Sequence, residues 1–166
     1  MDGYEAAITA IGDIPGIARR SAEVILAEIG LDMSRFPSAA HVCSWAGVWP
    51  GNCQSAGRRK HGKTTKGNKP LKTILTQCAK SARPVKGSYF SAQYQRIAAR
   101  RGKNRATLAV AHSMLIAIYH MLRNNVPFRD LGSDYYDSFN RDRKIHGYLK
   151  RLKALGWEPD ALPGSA

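Results

Sequence analysis

The chain has 166 residues, 43% of them hydrophobic, and carries 26 Lys and Arg against 12 Asp and Glu, a formal charge of +14. That apolar content suits one folded domain rather than a disordered tail, and the cation excess points to a polyanionic partner. No stretch of about 18 apolar residues and no basic start before an apolar run is present, which argues against a spanning helix, a signal peptide and a membrane partner, and predicts a cytoplasmic protein.

The first predicted element is a short apolar-periodic segment from Glu5 to Ile11, interrupted by Gly12-Asp13-Ile14-Pro15-Gly16-Ile17. A second helix, Ala18 to Ile29, places Ala22, Ile25, Leu26 and Ile29 on one face, with Gly30 as its stop. Two short helices around Ile-Pro-Gly-Ile form a helix-hairpin-helix pattern over 5–30. Gly16 frees the turn, and the first N–H groups of the second helix are left for a DNA phosphate, with Arg19 and Arg20 beside them. A plain helical turn is the simpler alternative.

Ser38 is a candidate N-cap for a short helix running to Trp45. A basic loop follows over 46–69, with Ser55 near its start and Arg58, Arg59, Lys60, His61, Lys63, Lys66 and Lys69 after it. Small neighbours, Ala56 and Gly57, leave room for a backbone phosphate, and Lys72 extends the cationic run into the next helix. From Met33 through Arg129 there is no Asp or Glu, while 18 of the 26 cations lie there. Ordinary surfaces mix both signs, so this middle reads as a phosphate-binding tract.

A helical core is predicted over 70–155. Asn68 or Thr65 caps a helix with Pro70 in its first turn and Leu71, Ile74, Leu75, Cys78 and Ala79 inward. The next runs from Ser88 to Arg101 with Phe90, Tyr94, Ile97 and Ala98 inward, and its terminal Arg96, Arg100 and Arg101 offset the helix dipole. Arg105 to Leu122, with Leu108, Leu115, Ile116, Tyr119 and Leu122 as a helical repeat that Ala106, Ala109, Val110 and Ala117 widen almost all round, reads as the central buried helix. The last, Arg141 to Leu155, carries Ile145, Tyr148, Leu149, Leu152 and Leu155. No strand alternation persists, so the predicted fold is all-α, a compact helical domain over 1–166.

The chemistry-bearing residues are few. His41, Cys43, Cys53 and His61 have no zinc spacing, so no metal site is assigned, and the odd cysteine count fits a reducing compartment. His112 and His120 on the buried helix read as core histidines. The acid-free middle offers no carboxylate pair for Mg²⁺; Asp130, Asp134, Asp137 and Asp142 read as a capped turn. Ser55 lacks a general base nearby in sequence, so local chemistry alone favours a loop serine donating one hydrogen bond to phosphate.

The residues carry a further likeness. Ile14-Pro15-Gly16-Ile17, Pro50-Gly51-Asn52, Ser55-Ala56-Gly57-Arg58, Lys66-Gly67-Asn68, Ala109-Val110-Ala111-His112 and Asp134-Tyr135-Tyr136 occur in this order. So placed, the chain resembles the C-terminal part of a bacterial insertion-sequence transposase family that joins a DEDD, RuvC-like domain to a serine-bearing domain. Some members are bridge-RNA-guided recombinases. The resemblance implies DNA transposition and site-specific recombination, with Ser55 as the catalytic nucleophile attacking a DNA phosphodiester. It also implies a guide RNA in some members, and Mg²⁺ held by the DEDD domain rather than by any cofactor site of this chain. Ala18 stands where many hairpins have a second glycine, and Lys72 where arginine is usual. No DEDD pattern precedes Met1, so the chain is expected to need a separate DEDD domain and to be inactive alone. Homo-oligomerisation is left open. The competing readings are a non-catalytic helix-hairpin-helix nucleic-acid-binding module and a purely structural assembly domain.

Overall fold

A computed structural model describes residues 2–49, 54–55, 58–59, 66–139 and 141–157. The fold is all-α, as the periodicity predicts. The helices are α1 (Asp2–Gly12), α2 (Arg19–Ile29), α3 (Ala39–Ala46), α4 (Lys69–Ala82), α5 (Tyr89–Arg101), α6 (Lys103–Asn124), α7 (Tyr135–Phe139) and α8 (Arg141–Ala154). A 3₁₀ turn at Met33–Arg35 precedes α3, and a two-residue antiparallel ladder pairs β1 (Gln54–Ser55) with β2 (Arg58–Arg59).

Internal packing divides the chain into two compact units, Met1–Ser133 and Asp134–Ala166. In the first, α6 is the axis, with α3, α4, α5 and the 3₁₀ turn packed on it; α2 packs on α1 and α4. The core includes Ile11, Ile14, Ile25, Leu26, Ile29, Val42, Leu71, Leu75, Met114, Leu115 and Ile118, all buried. Each such side chain contributes about 1.5–3 kcal/mol over exposure, which is why the predicted stripes of α2 and α4 fall inward. The central burial of α6 holds as predicted, but its apolar residues are not buried equally. The buried face is made by Ala106, Val110, Ala111, Met114, Leu115, Ile118 and Tyr119, whereas Leu108, Ile116 and Leu122 are partly buried flanks. Neighbours on several sides, not a single face, decide that. By length and composition α6 could cross a membrane, but half of its apolar window is buried in the protein.

Local caps fix the element boundaries. Asn68 Oδ1 accepts from Leu71 N at 2.9 Å at the start of α4, and Ser88 Oγ accepts from Ser91 N at 3.2 Å at the start of α5. Ser38 takes the N-cap position of α3 without capping it; its hydroxyl hydrogen-bonds His41 Nδ1 at 2.9 Å instead. The stretch before α3 is tied to α6 because the Tyr119 hydroxyl donates to Phe36 O at 3.1 Å and Arg123 donates to Pro37 O and to the Tyr119 oxygen. In the second unit, Ile145, Tyr148 and Leu152 along α8 and Leu155 just past its end are exposed, although the sequence pattern marks them as a core stripe.

Candidate nucleic-acid interface and serine loop

The turn between α1 and α2 is built by Ile14 and Ile17, both buried, with Gly16 between them at φ +90°. A Cβ on Gly16 would lie 2.5 Å from Ala82 N and 2.6 Å from Cys78 O. Gly16 is thus required by close packing of the turn on the backbone of α4, as well as by its left-handed conformation. Ala18 at the start of α2 is extended and offers no side-chain cap. Arg19 and Arg20 open α2, but both meet carboxylates. Arg19 is bidentate to Glu5 at 2.6 and 2.9 Å and lies 3.3 Å from Glu23; Arg20 lies 3.2 Å from Glu23. The Arg19 hydrogen bond holds the Glu5 carboxyl below its ordinary range and raises the Arg19 guanidinium. These pairs are solvent-exposed, so salt screens them and a phosphate can compete for either arginine.

The basic loop has a closed neck. Gly47 ends α3 in the left-handed region, and Val48 N and Trp49 N both donate to Cys43 O, at 3.1 and 3.2 Å. At the other end, Asn68 N donates to Trp45 O at 3.0 Å. Gly67, at φ +52°, leaves no room for a side chain: a Cβ would lie 2.4 Å from Gly47 N and 2.5 Å from Gly47 Cα. Asn68 Nδ2 also donates to Glu28 Oε2 at 2.7 Å, tying the neck to α2. Within the loop, the ladder register places Ser55 opposite Arg58 and Gln54 opposite Arg59. Lys66 and Lys69 are exposed at the neck and Lys72 is half-buried on α4. Lys60 and Lys63 lie outside the described residues, as do Cys53 and His61.

Beside the neck, Trp49 meets the His112 ring edge-on with centroids 5.2 Å apart, and Trp45 leans on Phe36 at 5.6 Å. His112 Nε2 is buried and has no hydrogen-bond partner among the described residues. Burial lowers the His112 pKa, which favours the neutral ring, and pushes the Cys43 thiol up to about 12. The Cys43 thiol faces the His112 carbonyl at 3.9 Å. Among the described residues no three of His, Cys, Asp and Glu come together. Sequence reasoning missed Glu28 and the Gly47–Gly67 contact as the neck of the loop. The signal was the pair of glycines bounding the basic stretch, but their mutual approach joins positions 20 residues apart.

An acid-free cationic segment anchored to a helical core, with a serine in it, defines a basic helical protein built around one loop. Residues 8–95 match the family model for transposases of the IS116/IS110/IS902 family, and the chain belongs to that family. A relative from Streptomyces coelicolor, an uncharacterized 43.6 kDa protein of insertion element IS110, is 33% identical over 118 residues, covering 67% of this chain. The chain spans 27% of the length of that relative.

Proposed function

We propose that this chain is the serine-bearing part of a DNA transposase, acting in the cytoplasm on duplex DNA. The observation that carries this reading is the neck. Gly47, Gly67, Asn68 and Glu28 fix both ends of a cationic loop in which Ser55 is in register with Arg58. The neck brings the two ends of the serine-bearing segment together against the helical core, and placement of a reacting group matters more to catalysis than to simple adhesion.

In this reading Ser55 Oγ attacks a backbone phosphorus. One O–P bond forms to the serine, the bond to a deoxyribose oxygen breaks, and the strand leaves as a hydroxyl once protonated. The resulting phosphodiester on serine conserves bond energy, so an incoming strand hydroxyl reverses the step at a new junction. Arg58, Arg59, Lys60, Lys63, Lys66, Lys69 and Lys72 neutralise the phosphates. The turn at Gly16, with Arg19 and Arg20, holds the duplex backbone further along. Glu28 is the one carboxylate at the neck among the described residues and is already bonded to Asn68. One such carboxylate does not make a Mg²⁺ site. By the family resemblance the metal and the proton acceptor belong to a separate DEDD domain, and a guide RNA, where used, is a further partner.

The test is a reconstitution. Mixed with a cognate DEDD domain, Mg²⁺ and the nucleic acids of the element, the wild type should give a denaturation-resistant protein–DNA adduct. Ser55→Ala should give none while keeping DNA affinity, because a lost neutral hydrogen bond costs about 1 kcal/mol. Equal adduct yields would remove Ser55 from the mechanism and leave a non-catalytic DNA-binding module.

A further inference from the structure

The hairpin of α5 and α6 ends in a tip that none of the roles above uses. Gly102 alone joins the two helices: its N–H donates to Ala98 O at 3.0 Å and its carbonyl accepts from Ala106 N at 3.2 Å. Around it Arg100, Arg101, Lys103 and Arg105 are all exposed. Among the described residues none of these four forms an ion pair, whereas Arg19 and Arg20 do. Asp130 reaches α5 only at its other end, where it accepts from Tyr89 N. Tyr89 is twelve residues from Arg101, about 18 Å along the helix.

Helix stability accounts for half of this set. Arg100 and Arg101 sit at the C-terminal end of α5, where cations oppose the dipole favourably. Lys103 and Arg105 sit in the first turn of α6, where cations are unfavourable and no acid is present. Four like charges so close also repel one another. A surface that serves only solubility intersperses the two signs. A duplex, with one charge per about 1.7 Å of its axis, offsets both costs. Position supports the same partner. Trp49, at the start of the serine loop, sits on His112. Arg105 is seven residues before His112, two turns and about 10 Å along α6 on the same face.

We propose that the Arg100–Arg105 tip is a second grip on the DNA backbone, separate from the neck of the serine loop. It rests on the reading that this chain handles DNA, and it adds a contact surface to that reading. The grip is sequence-independent, because it touches phosphates and not base edges.

The experiment measures binding of the full chain to a short random-sequence DNA duplex as a function of salt. Replacing Arg100, Arg101, Lys103 and Arg105 together by Gln keeps long helix-forming side chains. If all four engage phosphates, the log–log salt slope should become shallower by about 3.6, at about 0.9 per lost contact. The pair variants R100Q/R101Q and K103Q/R105Q should each account for about half of that. K103Q/R105Q should be at least as stable as wild type, so it remains informative if the fourfold variant fails to fold. A control, R143Q/K150Q/K153Q, removes three exposed charges outside the acid-free middle and should change the slope little. A flat wild-type slope would overturn the DNA reading itself. A steep wild-type slope unchanged in the tip variants would overturn the grip alone. An equal loss per charge in the control would reduce the effect to net charge and overturn it too. A loss confined to duplex RNA would reassign the tip to RNA.

Discussion

Gly16→Ala should destabilise the protein well beyond its conformational strain, and Gly87→Ala measures that strain separately. Both glycines have positive φ, +90° and +79°. An L residue there costs about 1–2 kcal/mol, offset by about 0.4–1 kcal/mol from the stiffer unfolded chain. A Cβ on Gly87 would meet nothing within 4 Å, whereas one on Gly16 would lie 2.5 Å from Ala82 N and 2.8 Å from Ala82 Cα. Ordinary contact begins at 3.4 Å, so the turn and α4 must part by 0.9 Å (3.4 minus 2.5). The atoms in the way are backbone, so no side chain can swing aside, and the shift would loosen Ile14 and Ile17 in the core. Overpacking of this kind costs about 1–3 kcal/mol. Urea unfolding of both variants should show Gly16→Ala less stable than Gly87→Ala by that amount. With a slope of about 1–3 kcal/mol/M, the midpoints should differ by about 1 M. Equal midpoints would refute the packing account and return Gly16 to a role in the turn alone. A lower DNA affinity of a Gly16 variant is informative only after this stability loss is subtracted.

Other consequences follow from the neck and the ring beside it. Asn68→Ala removes the cap of α4 and the amide that meets Glu28, and should cost about 1–2 kcal/mol by chemical denaturation. Asn68→Ser keeps a cap and should recover about 1 kcal/mol; no recovery would mean that the Glu28 contact dominates. His112 is pushed below the ordinary imidazole value of 6.5 by burial, so the unfolded chain binds its proton first. Its contribution to stability is present above pH 6.5 and is lost as pH falls through the lowered folded value. Stability of His112→Phe should therefore fall less on acidification than that of wild type; parallel pH profiles would show that His112 titrates normally.

Much of the fold was legible in the sequence. The apolar repeats of α2 and α4 are strong, and burying Leu71, Leu75, Ile25 and Leu26 leaves those helices one orientation. The turn at Ile14–Ile17 and the cap at Asn68 are local signals, because a proline, a glycine and a short polar side chain act within a few residues. The acid-free middle also marked the cationic loop, since charge needs no fold to be counted. Tertiary structure decided the rest. Which apolar residues of α6 are fully buried depends on three helices and a 3₁₀ turn packing around it, so its own periodicity underdetermines the answer. Arg19 reads as a free cation until α1 brings Glu5 to it. Gly16 reads as a permissive turn residue until α4 arrives against it, and Gly47 and Gly67 become a neck only when the ends of a long loop meet. Local chemistry is written in neighbouring residues, whereas these contacts join residues far apart in the chain and exist only once the core has closed.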